Sequence, residues 1–199
     1  MNDNLDCLDS NTQDRLFREA RTHNAWTGRR VSDATVRAIY DLAKWGPTAA
    51  NSNPARFVFI RSAQAKARLL PHVNPTNVEK VRRAPCTVIV AADTRFYELF
   101  PKLFPSRDMR SVFEGQEALI EDTIARSSTL QGAYLIMAAR TLGLDCGPMS
   151  GFNQAGTDAE FFPDGRWKSN FLCNIGYGEP EALFTRNPRL DFDEACLDL

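Results

Sequence analysis

Residues 117–142 constrain this chain most. They read as one long helix, and from Ala133 to Ala139 (AYLIMAA) that helix is apolar nearly all round. A surface helix carries a single apolar stripe, whereas a helix apolar on every side must be enclosed. The fold therefore needs a sheet and further helices packed around a buried central helix. Gly143 follows as the natural C-cap, because glycine accepts the left-handed conformation that ends many helices.

The remaining elements interleave. Thr12 can cap a short helix carrying Leu16, Phe17 and Ala20, after a loose stretch at residues 1–10. Ser32 can cap a helix in which Val36, Ile39, Tyr40 and Ala43 form an amphipathic stripe, ended by Gly46-Pro47. Residues 56–61 (RFVFIR) and 86–93 (CTVIVAAD) read as strands, with a helix capped by Ser62 and stopped at Pro71, and a short helix at 77–82, between them. Residues 94–116 are aromatic-rich and irregular. A brief strand at 144–147 leads through PMSGF to another short helix, and 170–178 (NFLCNIGYG) is the last strand. The pattern predicts a single domain over residues 1–199 with a mixed α/β or α+β fold. The tail at 179–199 carries Leu183, Phe184, Leu190 and Phe192 with no turn-back signal, so it needs a surface to lie on: its own domain or a partner subunit.

Several classes of function are disfavoured. A net charge of -1 leaves no electrostatic footprint for nucleic acid or an anionic membrane. No apolar run is long enough to span a bilayer, and the polar, acidic start (MNDNLDCLDSNTQD) argues against a secretory signal peptide. The five cysteines are scattered without a CxxC, which argues against a disulfide framework or zinc knuckle and fits a reducing cytoplasm. His23 and His72 have no metal-ligand spacing. There is no GxGxxG, no phosphate-binding GxxxxGK[ST], and no GxSxG, since GPMSG misplaces its serine. Side-chain catalysis is poorly supplied, so a cofactor carries the chemistry or the chain binds without turnover.

Four clusters could serve a phosphorylated planar cofactor. Arg21 and His23 alternate where a helix gives way to loop, and a cation with an imidazole donor suits a phosphate. Gly46-Pro47-Thr48-Ala49-Ala50-Asn51-Ser52-Asn53-Pro54 offers small side chains for close approach and hydrogen bonds to ring edges. Asn77 and Lys80 share a helix face, where a lysine would stabilise negative charge on a reduced ring. Gly147-Pro148-Met149-Ser150-Gly151-Phe152 permits close backbone approach and exposes free N–H groups. Each cluster alone also reads as ordinary structure: a solvated helix end, a turn-rich connection, a polar surface pair or a strand-to-helix turn.

Taken in order, these clusters resemble the nitroreductase family of FMN flavoproteins, over roughly residues 17–190. The stretches EARTHNAW, VSDATVRAIYDLAKWGPTAANSNPARFVF, LGLDCGPMSGF and KSNFLCNIGYG are most similar to its malonic semialdehyde reductase branch, which serves pyrimidine catabolism. The resemblance implies a mixed, mainly antiparallel sheet flanked by helices in an intertwined homodimer, with a strand from the partner's tail and two FMN sites at the interface. It implies NADH or NADPH as electron donor, with hydride carried by the flavin N5 and no catalytic side chain. By position, Arg21, His23 and either Arg186 or Arg189 would hold the FMN phosphate. Asn77 and Lys80 would sit at the pyrimidine edge. Pro148, Met149, Ser150 and Gly151 would lie beside N5, with the Ser150 and Gly151 N–H groups nearest. Pro47, Thr48, Ala49 and Asn51 would come from the other subunit.

The family's usual Arg-Arg-Ser-x-Arg pattern is altered: His23 stands at the serine, and Ala25 replaces the last arginine. The implied substrate, malonic semialdehyde, carries a carboxylate. Arg107 or Arg110, in a lid formed by residues 94–116, is the expected partner, unless that segment is a surface excursion. A broad nitroreductase or quinone reductase and a flavin-binding protein without turnover remain alternatives.

Overall fold

The computed structural model describes residues 7–199, so the expectation for residues 1–10 lies in part outside the described residues. The chain opens with α1 (Ser10–Gln13), which widens into a π-turn over Asp14–Arg18. Its cap is Asp9 and not Thr12: the Asp9 carboxylate accepts both the Thr12 N–H and the Thr12 hydroxyl, so Thr12 lies inside the first turn. Then come α2 (Asp33–Ala43), β1 (Ala55–Ile60), α3 (Ala63–Leu69), α4 (Pro75–Arg83) and β2 (Cys86–Asp93). Ser32 and Ser62 cap α2 and α3 as the sequence predicts.

Residues 94–116 are less irregular than expected. A 3-10 turn (Phe96–Leu99), α5 (Phe100–Leu103) and α6 (Arg110–Phe113) fold Phe96, Phe100 and Phe113 into a satellite core against Ile120. The ring pairs Phe96–Phe100 and Phe96–Phe113 meet edge to face, the arrangement that aromatic quadrupoles favour. The long helix α7 (Glu117–Thr141) follows, then β3 (Asp145–Met149), α8 (Gln154–Phe161) and β4 (Trp167–Gly176).

The strands form one sheet in the order β1-β2-β4-β3, every pair antiparallel. The parallel contribution is an isolated bridge between Thr22 and Cys146 at the β3 edge. β2 is buried along its whole length, as its unbroken apolar run requires. One sheet face packs against α2 and α7 through Ile39, Val88, Val90, Leu135 and Ala139. The other packs on α3, α4 and α8 through Leu69, Val81, Ile89 and Leu172.

The central helix departs from expectation. Leu135, Ala138 and Ala139 are buried, but Ala133 and Tyr134 face outward from the chain, as does Leu130. The turn after α2 meets it at Gly46, where a Cβ would come within 2.8 Å of the Tyr134 ring. The tail is largely extended, as expected, but closes in α9 (Phe192–Ala195) with a capping box between Asp191 and Glu194. No helix among the described residues is long and apolar enough to cross a membrane.

Candidate functional site

β3 is the spine of the site. It lies at the sheet edge and pairs along its length with β4, from Asp145 opposite Gly176 to Met149 opposite Leu172. At its start the Arg21–Trp26 segment lies alongside, with the His23 N–H donating to the Cys146 carbonyl at 3.0 Å. Gly147 permits that approach, since a Cβ there would fall 2.5 Å from the His23 carbonyl oxygen. Pro148 and Met149 belong to the strand itself and not to the loop that the sequence suggested. The turn at Ser150-Gly151 ends it.

Helix α4 meets that turn. The Asn74 N–H donates to the Gly151 carbonyl at 3.0 Å, and Asn77 Nδ2 donates to the same oxygen at 3.3 Å. Lys80 Nζ, one turn on, donates to Asn77 Oδ1 at 3.1 Å. A Cβ on Gly151 would lie 2.6 Å from Asn77 Nδ2, so glycine is what lets the helix and the turn touch. Among the described residues, no protein acceptor takes the Ser150 or Gly151 N–H. Three of the four sequence clusters thus fall along one strand. At about 3.3 Å per residue, the strand from Cys146 to Met149 runs roughly 10 Å before the turn.

The rear of α4 is fixed by Lys66 of α3, whose Nζ donates to the carbonyls of Val81, Arg82 and Ala84. Burial pulls the Lys66 pKa down. A cation at a helix C-terminus complements the helix dipole, so this contact steadies the helix that presents Asn77 and Lys80. Nearby Cys86 is pushed up to about 12 by burial, against the opposing pull of Arg61 and Lys66, which makes it an inert core thiol.

Arg21 and His23 play different parts. His23 is 6 % exposed. Its Nε2 lies 3.4 Å from Asp145 Oδ1, while Nδ1 faces the α-carbon of Gly178 and has no partner. The imidazole is enclosed by Gly178 and Asp145, so the structure does not offer it as an open phosphate donor. Arg21 is half-buried and reaches the tail, donating to the Phe184 carbonyl. Arg186 returns the contact, donating through Nη2 to the Ala20 carbonyl at 3.0 Å. Arg189 bonds only to the Asn187 and Pro188 carbonyls beside it and stays exposed. Of the two tail arginines, Arg186 is the one brought beside Arg21. Arg15 and Arg140, which the sequence did not single out, line a small cleft of about 120 Å³ together with Arg21, Gly143 and Asp145. They stand 125 positions apart, and only the fold brings them together.

The Pro47–Asn51 residues lie elsewhere in the chain. Ala50, Asn51 and Asn53 all hold positive φ, a conformation costly for alanine and better tolerated by asparagine. Asn51 Nδ2 donates to the Leu103 carbonyl at 2.8 Å, the Ala49 N–H reaches Ser127 Oγ at 3.3 Å, and Gln131 Nε2 donates to Asn53 Oδ1 at 3.2 Å. These bonds tie the loop to α5 and α7, and none reaches Asn77, Lys80 or Gly151. Within one chain the fourth cluster is therefore held apart from the other three. Arg107 is exposed, and Arg110 is exposed and paired with Glu114 at 3.0 Å. At the base of the same segment the buried Asp93 carboxylate accepts from Arg56 at 2.8 Å and from Arg166 at 2.9 and 3.1 Å, while Arg166 also pairs with Glu98.

Comparison with known proteins agrees with this architecture. The sequence profile of the Nitroreductase family matches residues 18–177. A protein of Rhodopseudomonas palustris, provisionally named NADH dehydrogenase/NAD(P)H nitroreductase, is 69 % identical over 183 residues, covering 92 % of this chain and 93 % of its own length. A relative from Ralstonia nicotianae with the same provisional name is 55 % identical, over 95 % of this chain and 97 % of its own. Among solved structures, a nitroreductase-type protein of Exiguobacterium sibiricum in complex with FMN superimposes with a TM-score of 0.85 at 20 % identity, covering 97 % of this chain and 98 % of its own. At that identity the likeness speaks for the fold.

Proposed function

The chain belongs to the nitroreductase family, and on that footing we propose that it is a single-domain, cytoplasmic, FMN-dependent NAD(P)H oxidoreductase working as a homodimer. The observation that carries the reading is the convergence on β3: Asn77 and Lys80 at one end through Gly151, Arg21 with Arg186 at the other. This donor set fits FMN. The free N–H groups of the Ser150-Gly151 turn can donate to ring acceptors, and the arginines suit a phosphate. Bound FMN would supply two-electron hydride chemistry that no side chain here can perform.

The chain's own residues then have definite tasks. Lys80 places a positive charge at the pyrimidine edge, held in direction by Asn77. Ser150 and Gly151 direct N–H groups toward N5. Pro47, Thr48, Ala49 and Asn51 complete the site from the partner subunit, which accounts for their separation from Gly151 within one chain. A dimer also accounts for the uncovered apolar surface: Trp45 is 77 % exposed, and Tyr40, Leu130, Tyr134 and Phe184 lie open as well.

For the substrate, the proposal is malonic semialdehyde, reduced to 3-hydroxypropanoate in pyrimidine degradation, with Arg107 or Arg110 receiving its carboxylate. The support is the sequence stretches EARTHNAW and LGLDCGPMSGF and the basic character of the segment. The names of the relatives favour a second reading, a broad nitro- or quinone reductase. Steady-state rates decide between them. A kcat/KM for malonic semialdehyde well above that for a nitroaromatic or a quinone supports the first, and the reverse order removes it.

A further inference from the structure

The arginine missing at Ala25 leaves the phosphate end of the site with one cation fewer than the family pattern supplies. The fold supplies others. Four guanidinium groups gather where α1, the Arg21 segment, the end of α7 and the tail meet. Each spends one nitrogen on a main-chain carbonyl: Arg15 Nε on Arg140 at 3.1 Å, Arg140 Nη1 on Leu16 at 3.0 Å, Arg186 Nη2 on Ala20 at 3.0 Å, and Arg21 Nη2 on Phe184. None of the four has a carboxylate partner among the described residues. Asp145, the acid that lines the cleft, is committed to His23 and to the Gly178 N–H at 2.9 Å.

Gathering unpaired guanidinium groups is electrostatically unfavourable unless an anion completes them. Two backbone features build the arrangement. The π-turn over Asp14–Arg18 widens the helix where Arg15 leaves it, closing through the Glu19 N–H on the Asp14 carbonyl at 2.8 Å. Gly143, with φ +82°, has no Cβ, and a Cβ there would collide with the Arg15 guanidinium.

We infer that Arg15 and Arg140 are phosphate-binding residues: with Arg21 they hold the phosphate monoester of FMN and replace the cation absent at Ala25. The inference rests on the FMN reading and deepens it at one end of the cofactor.

Riboflavin has the same ring without the phosphate, so it separates the two ends. The full-length chain, stripped of bound flavin, is titrated with FMN, riboflavin and inorganic phosphate, and flavin fluorescence quenching gives the flavin affinities. Arg15→Gln and Arg140→Gln should each weaken FMN binding about tenfold or more, as loss of a charge-assisted hydrogen bond requires. Riboflavin affinity should stay within about twofold, and Arg140→Lys should recover part of the FMN affinity through its retained charge. Phosphate should compete with FMN in the native chain and lose that competition in Arg15→Gln. Equal losses for FMN and riboflavin would assign the arginines to packing, and unchanged FMN affinity would remove them from the site; either result overturns the inference and leaves the FMN reading standing. A native chain that binds neither flavin would remove the reading and the inference together.

Discussion

Asn77 donates through Nδ2 to the main-chain carbonyl of Gly151 across 3.3 Å, and that hydrogen bond joins helix α4 to the turn that ends β3. It aligns two sequence clusters 74 positions apart, and it works because Gly151 has no side chain.

Gly151→Ala should therefore act through α4. A Cβ 2.6 Å from Asn77 Nδ2 and 3.3 Å from Asn74 Nδ2 displaces the Asn77 amide from the Gly151 carbonyl and crowds the start of the helix. Overpacking of this kind costs about 1–3 kcal/mol. The expected outcome is a lower thermal midpoint and FMN affinity reduced about tenfold, read by a melt and a fluorescence titration. Unchanged affinity would mean that the turn does not contact the ring.

Lys80→Met should shift the potential of bound FMN. A cation at the pyrimidine edge favours the reduced, more negative ring, so its loss makes the potential more negative. A contribution of about 1.4 kcal/mol corresponds to about 30 mV for two electrons. Potentiometric titration of both proteins checks the sign. A shift to more positive potential contradicts the placement of Lys80.

Asp93 gives the pH dependence. Burial alone would raise its carboxyl, but the hydrogen bond from Arg166, the Arg95 N–H and the charge of Arg56 more than offset this, and the net pKa is lowered. A carboxyl lower in the folded than in the unfolded chain stabilises the fold above its unfolded value of about 3.9, and the contribution is lost as pH falls through the folded value. Asp93→Asn leaves Arg56 without its carboxylate and Arg166 with Glu98 alone. It should cost about 3 kcal/mol near neutrality, with the deficit shrinking below about pH 4. Denaturant melts across pH test this, and a constant deficit would show that charge is not the cause.

Leu130→Arg tests the proposed homodimer and should dissociate it. Leu130 lies open on α7 beside Tyr134, and a charge placed in a buried interface is costly. Sedimentation should show monomer, and under the proposed arrangement, in which the second subunit supplies residues 47–51 to the site, FMN should be lost in parallel. A dimer of native stability would place the interface elsewhere.

Much of this was legible in the sequence, for reasons particular residues make plain. Ser32 and Ser62 cap their helices because hydroxyl side chains satisfy free N–H groups at those positions. β1 and β2 fall within a residue of their apolar runs. What escaped was set by longer-range packing or by segments too short for periodicity. α5 and α6 have four residues each, less than the window in which a helical repeat shows. Pro148 joined β3 because an edge strand tolerates a residue without an N–H. The Asp191-x-x-Glu194 capping box that starts α9 is a local pattern within a tail otherwise expected to be extended. At the site, the fold joins Asn77 to Gly151 and Lys80 to Asn77 by hydrogen bonds, and His23 turns inward beneath Gly178, which no local pattern encodes.

The central claim is that this chain binds FMN and that a nicotinamide reduces it there. The most direct measurement is the visible absorption of the purified protein, supplemented with FMN and then titrated with NADH and NADPH without oxygen. The account predicts a yellow protein whose flavin band bleaches stoichiometrically with at least one of the two. A colourless chain that takes up no added FMN, or a bound flavin that neither nicotinamide bleaches, would contradict it.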